Sequence, residues 1–148
     1  MQDTISSFLT QDHRSCDEAF AVMEQSVAKE DWQAANKTFN AFVDDLIHHF
    51  DMEEKIMFPV FEEKTGMHNT GPTAMMRMEH DQMRSVVSQM KEDLQTQNKN
   101  HFFGLSESLM MIMQQHNMKE EQMLYAMADA HIGPQASEVV SQMKALER

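Results

Sequence analysis

Apolar residues in the N-terminal part of the chain recur at alternating intervals of four and three residues, with one histidine among them. The series comprises Leu9, His13, Cys16, Phe20, Met23 and Val27. Such intervals place side chains on one face of an α-helix, as in the buried seam of a helical bundle. The pattern predicts a first helix, helix A, over about residues 4 to 29.

A second series with the same intervals begins after Asp31, a residue suited to capping a helix N-terminus. It comprises Trp32, Ala35, Phe39, Phe42, Leu46, His49, Glu53, Ile56 and Val60. The residues Lys64, Thr65 and Gly66 interrupt the pattern and predict the end of this helix, helix B. Pro59 predicts a bend inside helix B, because proline lacks the N–H that a helical hydrogen bond requires.

Two further series predict helices C and D. Helix C starts near Pro72 and ends before the polar turn 95–100. Its seam comprises Met76, His80, Met83, Val87, Met90 and Leu94, and that of helix D comprises Phe102, Ser106, Leu109, Met113, His116, Glu120, Met123 and Met127. Gly133 and Pro134 end helix D, and the apolar positions Val139, Val140, Met143 and Leu146 predict a short C-terminal helix.

The two halves of the chain repeat each other at an offset of 67 residues. This offset superimposes the seam of helix A on that of helix C, from Leu9 on Met76 to Val27 on Leu94. The polar seam residues that coincide are His13 with His80, His49 with His116, and Glu53 with Glu120. The repetition indicates an internal duplication of a helical hairpin. The predicted fold is therefore all-α, an up-down-up-down four-helix bundle from a duplicated helical hairpin, plus the short C-terminal helix.

The composition agrees with a helical protein and excludes some classes of binding partner. Glycine and proline contribute only 4 and 3 of the 148 residues, which disfavours a turn-rich β-fold. The net charge of −12 would repel nucleic acid and anionic membrane surfaces. No segment has the ~18 consecutive apolar residues of a membrane-spanning helix, and the N-terminus does not resemble a secretory signal. We therefore expect a cytoplasmic protein that binds neither nucleic acid nor membranes.

The six polar seam residues fall at similar heights along the predicted bundle. In each hairpin the first histidine lies about 17 residues before the turn, and the second histidine and the glutamate lie about 19 and 23 residues after it, which at 1.5 Å per residue is nearly one level. We therefore expect four histidines and two glutamates to converge in one buried layer.

A buried layer of imidazoles and carboxylates needs partners. Leaving such groups unpaired would cost several kcal/mol each, against about 5 to 15 kcal/mol for the stability of a whole domain. One interpretation is a polar layer in which each glutamate forms a salt bridge with a protonated histidine. We favour a metal site, because H-x-x-x-E places both groups on one helix face and bundle cores hold such dinuclear centres. Imidazole with carboxylate suits iron or manganese, and one cysteine is too few for a thiolate zinc site.

The strings that carry these residues resemble the hemerythrin-like, or HHE cation-binding, family. They are Asp12-His13-Arg14; His49-x-x-x-Glu53-Glu54 followed by Met57-Phe58-Pro59; the lone His80; and His116-x-x-x-Glu120-Glu121 followed by Leu124-Tyr125. The resemblance covers roughly residues 8 to 130 and implies a single hemerythrin-like domain over residues 1–148.

The resemblance also implies a centre of two iron ions joined by an oxo or hydroxo bridge. The implied ligands are His13 and His49 on one iron, His80 and His116 on the other, and Glu53 and Glu120 as bridges. The chain departs from the oxygen carriers of the family at Met76, where they have a further histidine, and at Glu121, where they usually have aspartate. Its ligand set is similar to the branch linked to nitric oxide and to repair of iron centres.

These features lead to one functional hypothesis and two alternatives. We expect a non-haem di-iron protein that binds O2 or NO in a sensing, storage, detoxifying or iron-centre-repair role. The first alternative is a di-iron oxidase, peroxidase or ferroxidase with the same centre. The second is a metal-free interaction module on a methionine-rich surface, for which the candidates are Met75, Met76, Met78, Met110 and Met111.

Other residues have expected supporting roles. Glu54 and Glu121 either hold the ligands through hydrogen bonds, which we favour, or are solvated neighbours of the bridging pair. Tyr125 either donates a hydrogen bond there or packs in the core. Cys16 is expected to be a core residue. The histidines off the seams are expected to be solvated, and these are His48, His68, His101 and His131.

Overall fold

The structure, a computed structural model, describes residues 3–148, and over that range it contains helices and turns but no strand. The α-helices are α1 (Ile5–Ala28), α2 (Trp32–Met52), α3 (Phe58–Thr65), α4 (Gly71–Gln95), α5 (Lys99–Lys119), α6 (Tyr125–Ile132) and α7 (Ala136–Ala145). Two π-helical segments, π1 (Glu53–Met57) and π2 (Glu120–Leu124), join α2 to α3 and α5 to α6. A short 3-10 helix, Gly133–Gln135, precedes α7.

All four predicted long helices are present. Helix A corresponds to α1, helix B to α2 continued by π1 and α3, helix C to α4, and helix D to α5 continued by π2 and α6. Within each hairpin α1 packs on α2 and α4 on α5, while contacts of α1 with α5 and of α2 with α4 join the hairpins. The all-α bundle is thus confirmed, and α7 is the predicted C-terminal helix, packed against α1 and π1.

The hairpin turns repeat as closely as the helices. Asp31 caps α2, and Asn98 caps α5, by accepting a hydrogen bond at 3.2 Å from the backbone N–H three residues later. The residues before these caps, Glu30 and Gln97, both have φ of 55°. Because caps and positive-φ residues recur at the same offset as the seams, the duplication extends to the turns.

The π segments correct the predicted seam in helices B and D. A π turn contains one residue more than an α turn, so the buried face beyond it is displaced along the sequence. The predicted seam residues Ile56, Val60 and Met127 are only partly buried, and Met123 is 48% exposed. The residues that are buried there instead are Met57, Phe58, Phe61, Leu124, Tyr125 and Ala128.

The local irregularity of helix B lies at π1, just before Pro59, and proline is not its cause. In the second half the position matching Pro59 is Ala126, which has a backbone N–H, and π2 forms there all the same. π1 and π2 begin at the matching glutamates Glu53 and Glu120. π turns inside α-helices occur often at functional sites, so their position supports a functional role for these two glutamates.

Two apolar clusters form the core. One lies toward the hairpin turns and includes Phe20, Phe42 and Phe102, and the other lies among α3, α6 and α7 and includes Phe61 and Ile132. Cys16 is buried, as expected, and burial raises the pKa of its thiol to about 12. The polar seam residues lie between the two clusters, where apolar side chains exclude water.

None of the helices described over residues 3–148 is both long enough and apolar enough to cross a membrane.

Candidate metal centre

The structure brings all six polar seam residues into one buried layer. His13 is supplied by α1, His49 by α2, His80 by α4 and His116 by α5, while Glu53 and Glu120 begin π1 and π2. Each of the six is at most 2% exposed. Each of the four long helices α1, α2, α4 and α5 therefore contributes a histidine to a site that is almost closed to solvent.

The six side chains form two overlapping groups. One contains His13, His49, Glu53 and Glu120, and the other contains Glu53, His80, His116 and Glu120. Within each group, one nitrogen or oxygen atom per residue lies within 4.8 Å of those of the others. Both groups share the two glutamates, so each carboxylate lies between two pairs of imidazoles.

Close contacts inside the layer join imidazole Nε2 atoms to carboxylate oxygens. Glu120 Oε1 lies 3.0 Å from His13 Nε2 and 3.2 Å from His116 Nε2. Glu53 Oε1 lies 3.1 Å from His80 Nε2, and Glu53 Oε2 lies 3.5 Å from His49 Nε2. The four Nε2 atoms therefore point into the layer, toward the glutamates.

These contacts leave polar atoms unsatisfied. Among the described residues, the buried side-chain atoms that lack a hydrogen-bond partner are Nε2 of His49, His80 and His116, Oε1 of Glu53 and Oε2 of Glu120. All belong to this layer, and a buried polar atom without a partner costs about 1–3 kcal/mol. Imidazole nitrogens and carboxylate oxygens are ligands of first-row transition metals, so this donor set fits a metal centre.

Each histidine has its other ring nitrogen bound to an outer carboxylate. Nδ1 of His13 contacts Glu121 at 2.7 Å, and Nδ1 of His80 contacts Glu54 at 2.5 Å. This bears out the supporting role expected of Glu54 and Glu121. In metal-bound histidines a carboxylate at one ring nitrogen commonly holds the ring proton there while the other nitrogen binds the metal, and the same arrangement is found here with Nδ1 outward and Nε2 inward.

Sequence reasoning missed the other two outer carboxylates. Asp12 contacts Nδ1 of His49, and Glu79 contacts Nδ1 of His116, both at 2.7 Å. The signal was present, since an acidic residue immediately precedes each histidine of α1 and α4 and the two lie 67 positions apart. Their partners are on neighbouring helices, which a pattern along one helix does not reveal.

Electrostatics favours the ionised form of the outer carboxylates Asp12, Glu54 and Glu79. Burial opposes ionisation of Asp12 and Glu54, but hydrogen bonds and charge interactions with His49 and His80, respectively, hold the pKa of each carboxyl below its usual value. For Glu79 burial again opposes ionisation, and hydrogen bonds from Lys119 and His116 lower the pKa. The layer is thus surrounded by negative charge and favours a cation at its centre.

Basic side chains cover the outer carboxylates from the solvent side. Arg14 contacts Glu121 at 3.2 Å and Arg84 contacts Glu54 at 3.0 Å, and Lys119 forms an ion pair with Glu79. These exposed or half-exposed pairs add little stability, but they fix the outer carboxylates in place.

Tyr125 is a hydrogen-bond donor in the layer, which resolves the alternatives that its sequence position left open. It is fully buried, and its Oη lies closer to the glutamates than the imidazoles do, 2.6 Å from Glu53 Oε2 and 2.9 Å from Glu120 Oε1. Burial and the two carboxylates together raise the pKa of Tyr125 well above its usual value. The phenol therefore stays protonated.

The histidines off the seams lie outside the layer. Three are exposed as expected: His68, His101, which also pairs with Asp93 at 2.7 Å, and His131. His48 differs, because it is partly buried and its Nε2 contacts the backbone carbonyl oxygen of Leu146 at 2.9 Å. Sequence reasoning did not foresee that the chain beyond α7 returns to α2.

Only three of the five methionines proposed to form a methionine-rich surface are exposed. Met75, Met78 and Met111 are 50–66% exposed. Met110 is partly buried against the core, and Met76 is 1% exposed. Met76 is therefore a core residue, one helical turn before His80.

Comparison with known proteins places this layer in context. The sequence model of the hemerythrin HHE cation-binding domain matches residues 4–128. The chain is also similar to the iron-sulfur cluster repair protein YtfE of Salmonella schwarzengrund, Salmonella paratyphi B and Salmonella newport, with 34% identity over 55 residues in each case. That match covers 37% of this chain and 25% of each relative, so the chain spans about a quarter of the length of these curated relatives.

No solved structure was found to match the chain. The family match covers most of the sequence, including all six residues of the layer. The resemblance carried by the two H-x-x-x-E strings is thereby confirmed: the chain belongs to the hemerythrin HHE cation-binding domain family.

Proposed function

We propose that the protein is a non-haem di-iron protein that binds O2 or NO. In this proposal one iron is held by His13 and His49, the other by His80 and His116, and Glu53 and Glu120 bridge the two. The observation that carries it is the set of inward nitrogen and oxygen atoms that lack hydrogen-bond partners in a buried layer. Membership of a cation-binding family supports the same conclusion.

The donor count explains why small ligands would bind. Two imidazoles and two carboxylate oxygens give each metal four protein bonds, which is fewer than the six of an octahedral ion. Two iron ions held in this way would supply reversible binding or reduction of a small diatomic molecule at the free positions. The surrounding apolar clusters exclude larger and charged ligands.

The remaining residues would orient the donors. The outer carboxylates lie at Nδ1 of each histidine and would hold the ring proton there, so that Nε2, which is directed inward, could bind a metal. π1 and π2 place the glutamates in the layer, and the hydroxyl of Tyr125 lies between the two carboxylates, with Glu53 Oε2 as its nearer acceptor at 2.6 Å. No rearrangement of the helices is needed to form the ligand set.

A matched pair of variants tests the ligand assignment. Glu120→Ala removes a carboxylate inside the layer, whereas Glu121→Ala removes its neighbour, which contacts His13 only at Nδ1. We expect the first to lose most of its iron, and the second to keep iron with affinity lowered by about 10–100-fold. Iron content after reconstitution measures this, and equal losses in both variants would contradict the bridging role.

A role in repair of iron centres is a second candidate. The observation in its favour is the similarity to the iron-sulfur cluster repair proteins, within the limits of its 55-residue match. If the chain acts in this way, the iron-loaded protein should restore a cluster in a damaged iron-sulfur protein, and the Glu120→Ala variant should not. Steady turnover of Fe²⁺ with O2 would instead indicate the oxidase alternative.

A further inference from the structure

The duplication is nearly complete at the centre, and one of the buried positions at which the halves differ carries a hydroxyl group in the second half only. The imidazoles, the glutamates, the outer carboxylates and the π segments of the first half all have counterparts 67 residues later. Phe58, by contrast, has Tyr125 as its counterpart, and both side chains are fully buried. The two halves thus differ at this position by one hydroxyl group, and beside the layer they differ also at Phe50, whose counterpart is Asn117.

The hydroxyl of Tyr125 lies on the side of His13 and His49. Its Oη is 3.1 Å from His13 Nε2, and its carboxylate partners are Glu53 Oε2 and Glu120 Oε1. These two oxygens are also the ones nearest to His49 Nε2, at 3.5 Å and 3.9 Å. Glu120 Oε1 also lies 3.2 Å from His116 Nε2 and therefore faces both pairs of imidazoles. Glu53 Oε2, the nearer partner of Tyr125 at 2.6 Å, faces the first pair. The single hydroxyl proton of Tyr125 is thus directed at a carboxylate atom on the side of His13 and His49.

On the side of His80 and His116, the position that matches Tyr125 is a phenylalanine, and phenylalanine rings rather than a hydroxyl group lie against the imidazole. Phe50 stacks on His80 with ring centroids 4.0 Å apart, and Phe58 stacks on it from 5.9 Å. A phenylalanine ring donates no hydrogen bond to a carboxylate. The oxygen that faces this side, Glu53 Oε1, has no hydrogen-bond partner in the protein.

From this asymmetry we infer that Tyr125 is a positioning residue that makes the two metal positions unequal. The inference rests on the proposed di-iron centre. A hydrogen bond draws electron density from a carboxylate oxygen and weakens its donation to a metal, so partners beyond the ligands tune a metal site. A metal beside His13 and His49 would then receive weaker donation from Glu53 than a metal beside His80 and His116.

Packing alone does not account for the hydroxyl. Phe58 fills the matching position without one, so a ring of this size suffices for the core. A buried hydroxyl without partners would be costly, whereas this one lies within hydrogen-bonding distance of two carboxylates. The hydroxyl is therefore best explained by what it does to the glutamates.

Mössbauer spectroscopy of protein loaded with ⁵⁷Fe²⁺ and oxidised tests the inference, because it reports the environment of each iron. We expect the unmodified protein to give two quadrupole doublets of equal area. In Tyr125→Phe the difference between their splittings should fall by at least half. The double variant Phe58→Tyr/Tyr125→Phe, which moves the hydroxyl to the other half, should restore two distinct doublets.

Iron content, measured on the same samples, separates this inference from the proposed function. A protein that does not bind two irons would overturn both. Two bound irons with an unchanged difference in splitting in Tyr125→Phe would overturn only the role of Tyr125. Loss of iron from both variants, with helicity and melting temperature retained, would also contradict it, because the hydroxyl would then serve binding in general.

Discussion

At the scale of single residues, each candidate histidine ligand has two contacts, one at each ring nitrogen. His49 illustrates this, because Asp12 binds its Nδ1 while its Nε2 faces the glutamates. The sequence allowed the inner residues to be predicted, since they interrupt an otherwise apolar seam. It did not allow Asp12 and Glu79 to be predicted as partners, since each contacts a histidine 37 residues away on another helix.

Because of Met76, we expect this chain to react with O2 differently from the oxygen carriers that it resembles. It is buried one turn before His80 and also lines a surface groove of about 340 Å³ together with Met75, Met123 and Met127. A thioether is a soft ligand and a poor match for ferric iron, so we expect Met76 to leave the His80/His116 iron short of a donor. Both irons should then be open to oxidant.

We therefore expect the reduced protein to be oxidised by O2 within seconds to minutes, without a long-lived adduct. Met76→His, which adds an imidazole one turn from His80, should slow this oxidation, whereas Met75→His, at the exposed neighbouring position, should not. Stopped-flow absorbance after mixing anaerobically reduced protein with O2 measures both rates. A stable adduct of the unmodified protein that deoxygenation reverses would contradict this account of Met76.

At the scale of secondary-structure elements, the π segments are what the sequence did not reveal. The apolar pattern continues through both of them, because Ile56 and Met123 stand where a regular helix would bury them. Tertiary packing buries Met57 and Leu124 instead. Helix positions and turns could be predicted from local patterns, but a one-residue change of register depends on contacts between helices.

Deletion of Gln122, an exposed residue inside π2, tests the role of these segments. Without it, Glu120, Leu124, Tyr125 and Ala128 would follow one another at regular α-helical intervals, so helicity and melting temperature should change little. The carboxylate of Glu120 would lose the geometry that π2 gives it, and bound iron should fall by at least half. Iron content and circular dichroism measure the two effects.

Deletion of Gln114, an exposed residue in the regular part of α5, is the contrasting variant. It moves every later residue of α5 by about 100° around the helix and should destabilise the bundle as well as its metal site. If the Gln122 deletion kept all its iron, π2 would have no part in placing Glu120.

At the scale of the whole molecule, duplication places a charged layer in the middle of an apolar core. Two similar hairpins pack so that the matching imidazole pairs share Glu53 and Glu120, and apolar clusters close the layer above and below. The unpaired atoms of this layer would be a liability in a protein of ordinary stability. The proposed pair of metal ions would supply partners for these atoms.

The iron content of the unmodified protein tests this account most directly. The protein would be reconstituted anaerobically with Fe²⁺, freed of excess metal by gel filtration and analysed for iron and protein concentration. The account predicts about two irons per chain, as expected for a dinuclear centre in a bundle core. A protein that remains metal-free, or that binds iron without loss on substitution of Glu120, would contradict it.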